Sequence, residues 1–112
     1  KVYHIVLKGE KTINKEKLIK AAQTLQGKTI NQFTPSRVAH RRANAVREKK
    51  IYSCNVESVE DTIAILTVEA ESGTYIKELV SGDDGKTKPS ISELIDNPCK
   101  VTELDVIEIK GE

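Results

Sequence analysis

The sequence predicts an α+β domain, a largely antiparallel sheet with helices packed on it, and three features predict it. Residues 46–59 and 62–70 are rich in Val, Ile and Thr and are separated by a tight break at Glu60-Asp61, the pattern of an antiparallel hairpin. Leu18, Ala21, Ala22 and Leu25 recur at helical spacing. Further β-rich segments stand near both ends of the chain. A length of 112 residues fits one compact unit over positions 1–112 and excludes two full domains.

In chain order, Val2 to Leu7 reads as a strand, weakly alternating but rich in β-formers and followed by Gly9. Asn14 opens the helix, lysines line its outer face, and Gly27 stops it. Lys28 to Phe33 is a short strand closed by Thr34-Pro35, after which an arginine-rich stretch without clear period is a loop or bent ribbon. The hairpin comes next. After Gly73 a short helix begins with Thr74 as its cap and Ile76, Leu79 and Val80 on its buried side, and it stops at Gly82. The run from Gly82 to Pro89 is turn-rich, Ser90 caps a helix through Ile95, and Asn97-Pro98 ends it. Val101 to Ile109 is the closing strand, which makes the order β-α-β-β-β-α-α-β.

A hydrophobic fraction of 38% beside 31% charged residues fits a soluble globular chain, and no apolar run is long enough to span a membrane. Three Tyr, one Phe and no Trp make the core aliphatic and leave few platforms for stacking bases. Cys54 and Cys99 lie far apart with no C-x-x-C spacing, which suggests neither a zinc site nor a disulfide framework and fits a reducing, cytoplasmic setting. The chain has no Met and opens inside a strand pattern at Lys1-Val2-Tyr3-His4-Ile5, as expected of a piece of a longer protein, and no targeting peptide is visible.

Charge is nearly balanced, 18 basic against 17 acidic residues, but it is segregated. Between Arg37 and Lys50 six cations meet only Glu48, a local charge of +5, while the remainder holds 12 cations and 16 anions, or −4. All four arginines fall between positions 37 and 47, whereas the lysines are scattered from Lys1 to Lys110. A site for phosphates or bases favours the planar guanidinium, which forks onto phosphate oxygens and stacks on rings. The cluster of Arg37, Arg41, Arg42 and Arg47, continued by Lys49 and Lys50, therefore points to an RNA backbone clamp more than to a solvated basic loop. His40 has no Cys or His partner in sequence and reads as an RNA or surface contact, not a general base.

Two tempting motifs fail. Gly85-Lys86-Thr87 matches the last third of a phosphate-binding P-loop, but Val80 stands where the motif needs its first Gly and a helix precedes the loop where a strand is needed. Asp83, Asp84 and Glu78 have no metal-ligand spacing. Lys77 is a third oddity. In the first turn of a helix capped by Thr74 it opposes the helix dipole, which calls for a compensating anion. That anion is either Glu78 or a surface Asp, or a carboxylate or phosphate supplied by a site.

The motifs themselves resemble a known family. Thr34-Pro35-Ser36-Arg37-Val38-Ala39-His40-Arg41-Arg42 followed by Ala45-Val46-Arg47, then Gly73-Thr74-Tyr75-Ile76-Lys77-Glu78, then Gly82-Asp83-Asp84-Gly85-Lys86-Thr87-Lys88-Pro89-Ser90 and Glu103-Leu104-Asp105-Val106, are similar in order and spacing to blocks of the archaeal and eukaryotic tRNA pseudouridine synthases of the "Pus ten" family. The likeness is good over residues 34–109 and weak over the first thirty, and Lys86 stands where an Arg is usual.

The resemblance implies part of a pseudouridine-synthase catalytic fold and of an isomerase that detaches uracil, rotates it and rejoins it to ribose through carbon without a cofactor. Its substrate would be uridine in the TΨC loop (54/55) of tRNA. The family's essential Asp belongs to an upstream motif that Asp61, Asp83, Asp84, Asp96 and Asp105 do not match, so this chain is expected to be the C-terminal portion of the catalytic domain and inert by itself. Its partners would be tRNA and the rest of the same polypeptide, an N-terminal RNA-binding domain and the half bearing the nucleophile. Gly73-Thr74-Tyr75-Ile76-Lys77 is also similar to the G-T-Y-I-R motif of the TruB branch, which gives Lys77 the role of pairing with the catalytic Asp. Leu104 resembles the apolar residue closing the uracil pocket, and Tyr52 is matched to the pocket tyrosine. Arg37, His40, Arg41, Arg42, Arg47, Lys86 and Lys88 form the expected RNA-binding set. The alternative is a non-catalytic RNA-binding module in which the Gly-Thr-Tyr-Ile-Lys segment merely packs. A full-length sequence with an upstream Arg-x-Asp-type motif separates the two.

Overall fold

A computed structural model describes residues 1–108. The strands are β1 (Val2–Gly9), β2 (Thr29–Phe33), β3 (Val46–Glu60), β4 (Ile63–Ala70), β5 (Thr87–Lys88) and β6 (Cys99–Glu108), and the helices are α1 (Lys15–Leu25), α2 (Ile76–Ser81) and α3 (Ile91–Ile95). They form one six-stranded sheet in the order β5-β2-β3-β4-β1-β6, with every pairing antiparallel. The expected α+β class is the one found. Of the expected closing strand, Ile109 lies outside the described residues.

β1 buries alternate side chains, Tyr3, Ile5, Leu7 and Gly9, and keeps Val2, His4 and Val6 half-buried on the other face. It lies inside the sheet between β4 and β6, so even its outward face is flanked by neighbouring strands, which is why its sequence alternates weakly. Ile5 stands opposite Leu66 on one side and Leu104 on the other, which places all three on the face that the helices cover. Onto that face α1 lays Leu18, Ala21, Ala22 and Leu25, α2 lays Ile76, Leu79 and Val80, and α3 lays Ile91 and Ile95, forming one aliphatic cluster. Each fully buried Leu or Ile contributes about 1.5–3 kcal/mol by leaving water.

Local signals set the helix ends. Asn14 accepts a hydrogen bond from the Lys17 amide (3.0 Å) and Ser90 one from the Glu93 amide (3.2 Å), so both predicted caps are in place. Thr74 is not a cap. Tyr75 occupies that position without a side-chain bond, and the Thr74 hydroxyl donates instead to the Glu71 carbonyl, holding the turn that leads out of β4. The hairpin turns at Asp61, whose φ of 54° is tolerated by a short polar side chain. The segment read only as turns contains a 3-10 turn at Asp83–Gly85 and the two-residue strand β5, too short to leave a periodic trace. Gly82 closes α2 at φ 82°, and a Cβ there would stand 2.7 Å from the Ser90 hydroxyl, so the position takes no side chain. No helix among the described residues is long and apolar enough to cross a membrane.

Candidate functional site

The arginine-rich segment leaves β2 at Phe33 and returns to β3 at Val46, so its two ends are neighbours by strand pairing. Thr34, fully buried, pinches the loop shut: its hydroxyl donates to the Ala43 carbonyl (2.8 Å) and accepts from the Ala45 amide (3.0 Å) and from Arg47 Nη1 (3.2 Å). Inside the loop a 3-10 turn at Ser36–Val38 inserts Val38 into the protein, and the Arg41 and Arg42 amides both donate to its carbonyl. The outer part of the loop is thereby shaped by its own backbone. His40, Arg41 and Arg42 project from it, exposed.

The predicted RNA-binding cations divide into two groups. His40, Arg41, Arg42 and Lys88 are exposed, and their side chains make no hydrogen bond or ion pair among the described residues. Arg37, Arg47 and Lys86 are already engaged. Arg37 places Nε 2.9 Å and Nη2 3.1 Å from the two carboxylate oxygens of Glu78, with its guanidinium 5.9 Å from the centre of the Tyr75 ring. The Lys86 ammonium donates to the Ser36 hydroxyl (2.9 Å) and lies 5.8 Å from the Phe33 ring centre. Beside them Asn31, Phe33, Val46, Asp84, Gly85, Lys86 and Lys88 line a groove of about 390 Å³ at the β2–β5 edge of the sheet.

The same edge fixes the helix that carries Lys77. Gln32, fully buried in β2, uses its amide group as a strand would: the Tyr75 amide donates to Gln32 Oε1 (2.9 Å), and Gln32 Nε2 donates to the Tyr75 carbonyl (2.9 Å) and the Thr87 hydroxyl (3.3 Å). This clamp replaces the missing side-chain cap at the start of α2. Lys77 follows in the first turn, exposed, and no described residue gives its ammonium a hydrogen bond or an ion pair. Glu78, the local anion considered for it, is buried and turned to Arg37 instead. The ammonium thus stays opposed to the helix dipole without an internal partner.

The other two expected site residues stand elsewhere. Tyr52 sits in the bulge of β3 between Ile51 and Ser53, 48% exposed, with the Lys50 ammonium 5.8 Å from its ring centre. Leu104 is on β6, half-buried against the core. The strands β4 and β1 lie between them, and Leu104 is level, through Ile5 and Leu66, with Val56, four residues along β3 from Tyr52, so the two are offset both across and along the sheet. Lys77, Tyr52 and Leu104 therefore occupy three different elements, and the structure does not record a direct contact among them. Gln32 was not singled out by the sequence, where a Gln at a core-facing strand position was the one available sign, and Thr34 and Glu78 were read there as a strand stop and as a counter-ion for Lys77, not as the groups that hold the loop.

Both cysteines are buried and unpaired. Burial pushes Cys54 up to about 12, and burial also raises Cys99, against a hydrogen bond with Ser92 that lowers it.

The chain is similar to known proteins in sequence and in fold. A family model described as "Pus10, C-terminal" matches residues 1–110. A protein of Thermoplasma acidophilum named tRNA pseudouridine synthase Pus10 is 45% identical over 113 residues, covering 100% of this chain and 29% of the relative. One of the same name from Archaeoglobus fulgidus is 42% identical over 109 residues, covering 97% of this chain and 30% of the relative. The chain thus spans less than a third of the length of these relatives. Among solved structures, a chain of a Cbf5-Nop10-Gar1 complex superposes with a TM-score of 0.73 at 24% identity, over 92% of this chain and 28% of that one, which shows a shared fold.

Proposed function

This chain belongs to the Pus10 C-terminal family, and from that premise we propose that it is the C-terminal portion of the catalytic domain of a tRNA pseudouridine synthase, acting on uridine in the TΨC loop (54/55). One observation carries the reading: the basic loop and the first turn of α2 are built against the same sheet edge, which sets exposed arginines on the same edge as a lysine that has no counter-charge among the described residues. A buried uridine must be flipped out to be isomerised, which requires clamps on the backbone and an enclosed slot for the base. His40, Arg41, Arg42, Arg47 and Lys88 serve as the clamps, with Lys86 at the loop base. Lys77 is held for an Asp on the rest of the polypeptide. A neighbouring ammonium keeps such an Asp ionised for attack against the desolvation that would neutralise it. The pocket roles of Tyr52 and Leu104 rest on the family resemblance alone, since two strands lie between them, and no cofactor takes part.

The test uses the full-length protein on unmodified tRNA. Lys77→Met removes the charge and keeps the length, and pseudouridine formation at neutral pH is expected to fall by about a hundredfold or more, while Lys77→Arg retains a good part of it and tRNA affinity barely changes. Full activity in Lys77→Met overturns the catalytic assignment in favour of a non-catalytic RNA-binding module. Pseudouridine formation by the 112-residue chain alone would place the nucleophile within it and overturn the upstream Asp.

A further inference from the structure

Three contacts tie the base of the arginine loop to the segment containing α2. The Ser36 amide donates to Asp83 Oδ2 (2.9 Å), Lys86 donates to the Ser36 hydroxyl (2.9 Å), and Arg37 forks onto both oxygens of Glu78. The last is the strong one. Bidentate guanidinium–carboxylate pairs are geometrically specific, and the Glu78 side chain is only 8% exposed, so releasing Arg37 would leave a buried carboxylate unpaired. Arg37 is therefore not free to follow a phosphate in the way that Arg41 and Arg42 are.

Glu78 is also the residue after Lys77. On a helix consecutive side chains are turned by about 100°, so Glu78 reaches inward to the loop while Lys77 faces out from the same turn. We propose that the Arg37–Glu78 pair is a positioning link: it withholds Arg37 from RNA and locks the arginine loop to the first turn of α2, so that RNA seated on Arg41 and Arg42 is held in register with Lys77. The link rests on the function proposed above and adds to it two residues, one reassigned from RNA contact to alignment.

The link predicts the same loss of kcat from its two ends but different salt responses. In the full-length protein with unmodified tRNA, Glu78→Gln keeps the shape but releases Arg37. The kcat for pseudouridine formation should fall about tenfold with KM not raised, and log affinity should fall more steeply with log salt, by about 0.7–0.9, because one more cation reaches phosphate. Arg37→Gln should lower kcat similarly and leave that slope unchanged. The double variant, which has no buried charge and carries the test should a single variant not fold, should be no worse than either single, since both remove one link. A slope flattened by about 0.7–0.9 in Arg37→Gln would make Arg37 a phosphate clamp and overturn the proposal. So would an unchanged kcat in all three variants of an active enzyme, which would leave the function standing. A wild-type protein that forms no pseudouridine overturns the function and the link together.

Discussion

Around β1 and β4 the molecule is held by aliphatic packing. Ile5, Leu7, Leu66 and Val68 are fully buried in the one aliphatic cluster shared with the helices, and side-chain hydrogen bonds are few. At the β2–β5 edge the buried groups are polar: Gln32, Thr87 and Glu78 hold the loop and α2 in place through bonds between residues 41 to 55 positions apart, and Thr34 closes the loop through bonds spanning 9 to 13. Hydrophobic burial is non-directional and tolerates small displacements, whereas an amide or guanidinium fork works in one geometry only. The apolar half therefore supplies stability, and the polar edge sets the relative placement of the groups proposed to meet RNA. Among the described residues no buried side-chain nitrogen or oxygen lacks a hydrogen-bond partner, so the polar edge is fully satisfied in the absence of ligand.

Substitutions in the two halves should separate stability from function. The largest loss of stability is expected for Leu66→Ala at the centre of the sheet, about 2–5 kcal/mol, seen as one cooperative drop in a urea or thermal melt. A loss below about 1 kcal/mol would mean that the apolar half is not what holds the fold. Gln32→Leu comes next. It keeps the volume but strands the Tyr75 amide and carbonyl, at about 1–3 kcal/mol, and hydrogen exchange at the Tyr75 amide should accelerate more than at Leu66. Equal acceleration at both would show the edge to be no separate unit. Replacing Arg41 and Arg42 together by Ala should change stability by less than about 0.5 kcal/mol, because both are exposed and unpaired among the described residues. The same pair should flatten the salt dependence of tRNA binding by about 1.4–1.8 log units per log unit, the sum of two phosphate contacts. Unaltered binding would remove the loop from the RNA surface.

The sequence by itself determined what depends on neighbours three or four positions away, or on alternation along a strand. The caps at Asn14 and Ser90, the stop at Gly82, the turn at Asp61 and the buried stripes of α1 and α2 were all legible on those rules. So was the exposure of the basic loop at Arg41 and Arg42, because arginines gathered in a stretch without period have no core to enter. Only the tertiary structure decided which of those arginines remain available. Arg37 looks the same in sequence as Arg41, yet the sheet order brings β2 and β5 together and with them the loop base and α2, so Glu78 meets Arg37 across 41 positions. The same closure moved the start of α2 from Thr74 to Tyr75, because the amide of Gln32 reaches Tyr75 from another strand and supplies what a local cap would have supplied. A polar partner is chosen by direction and distance in the folded chain, and neither is written in the spacing of residues along it.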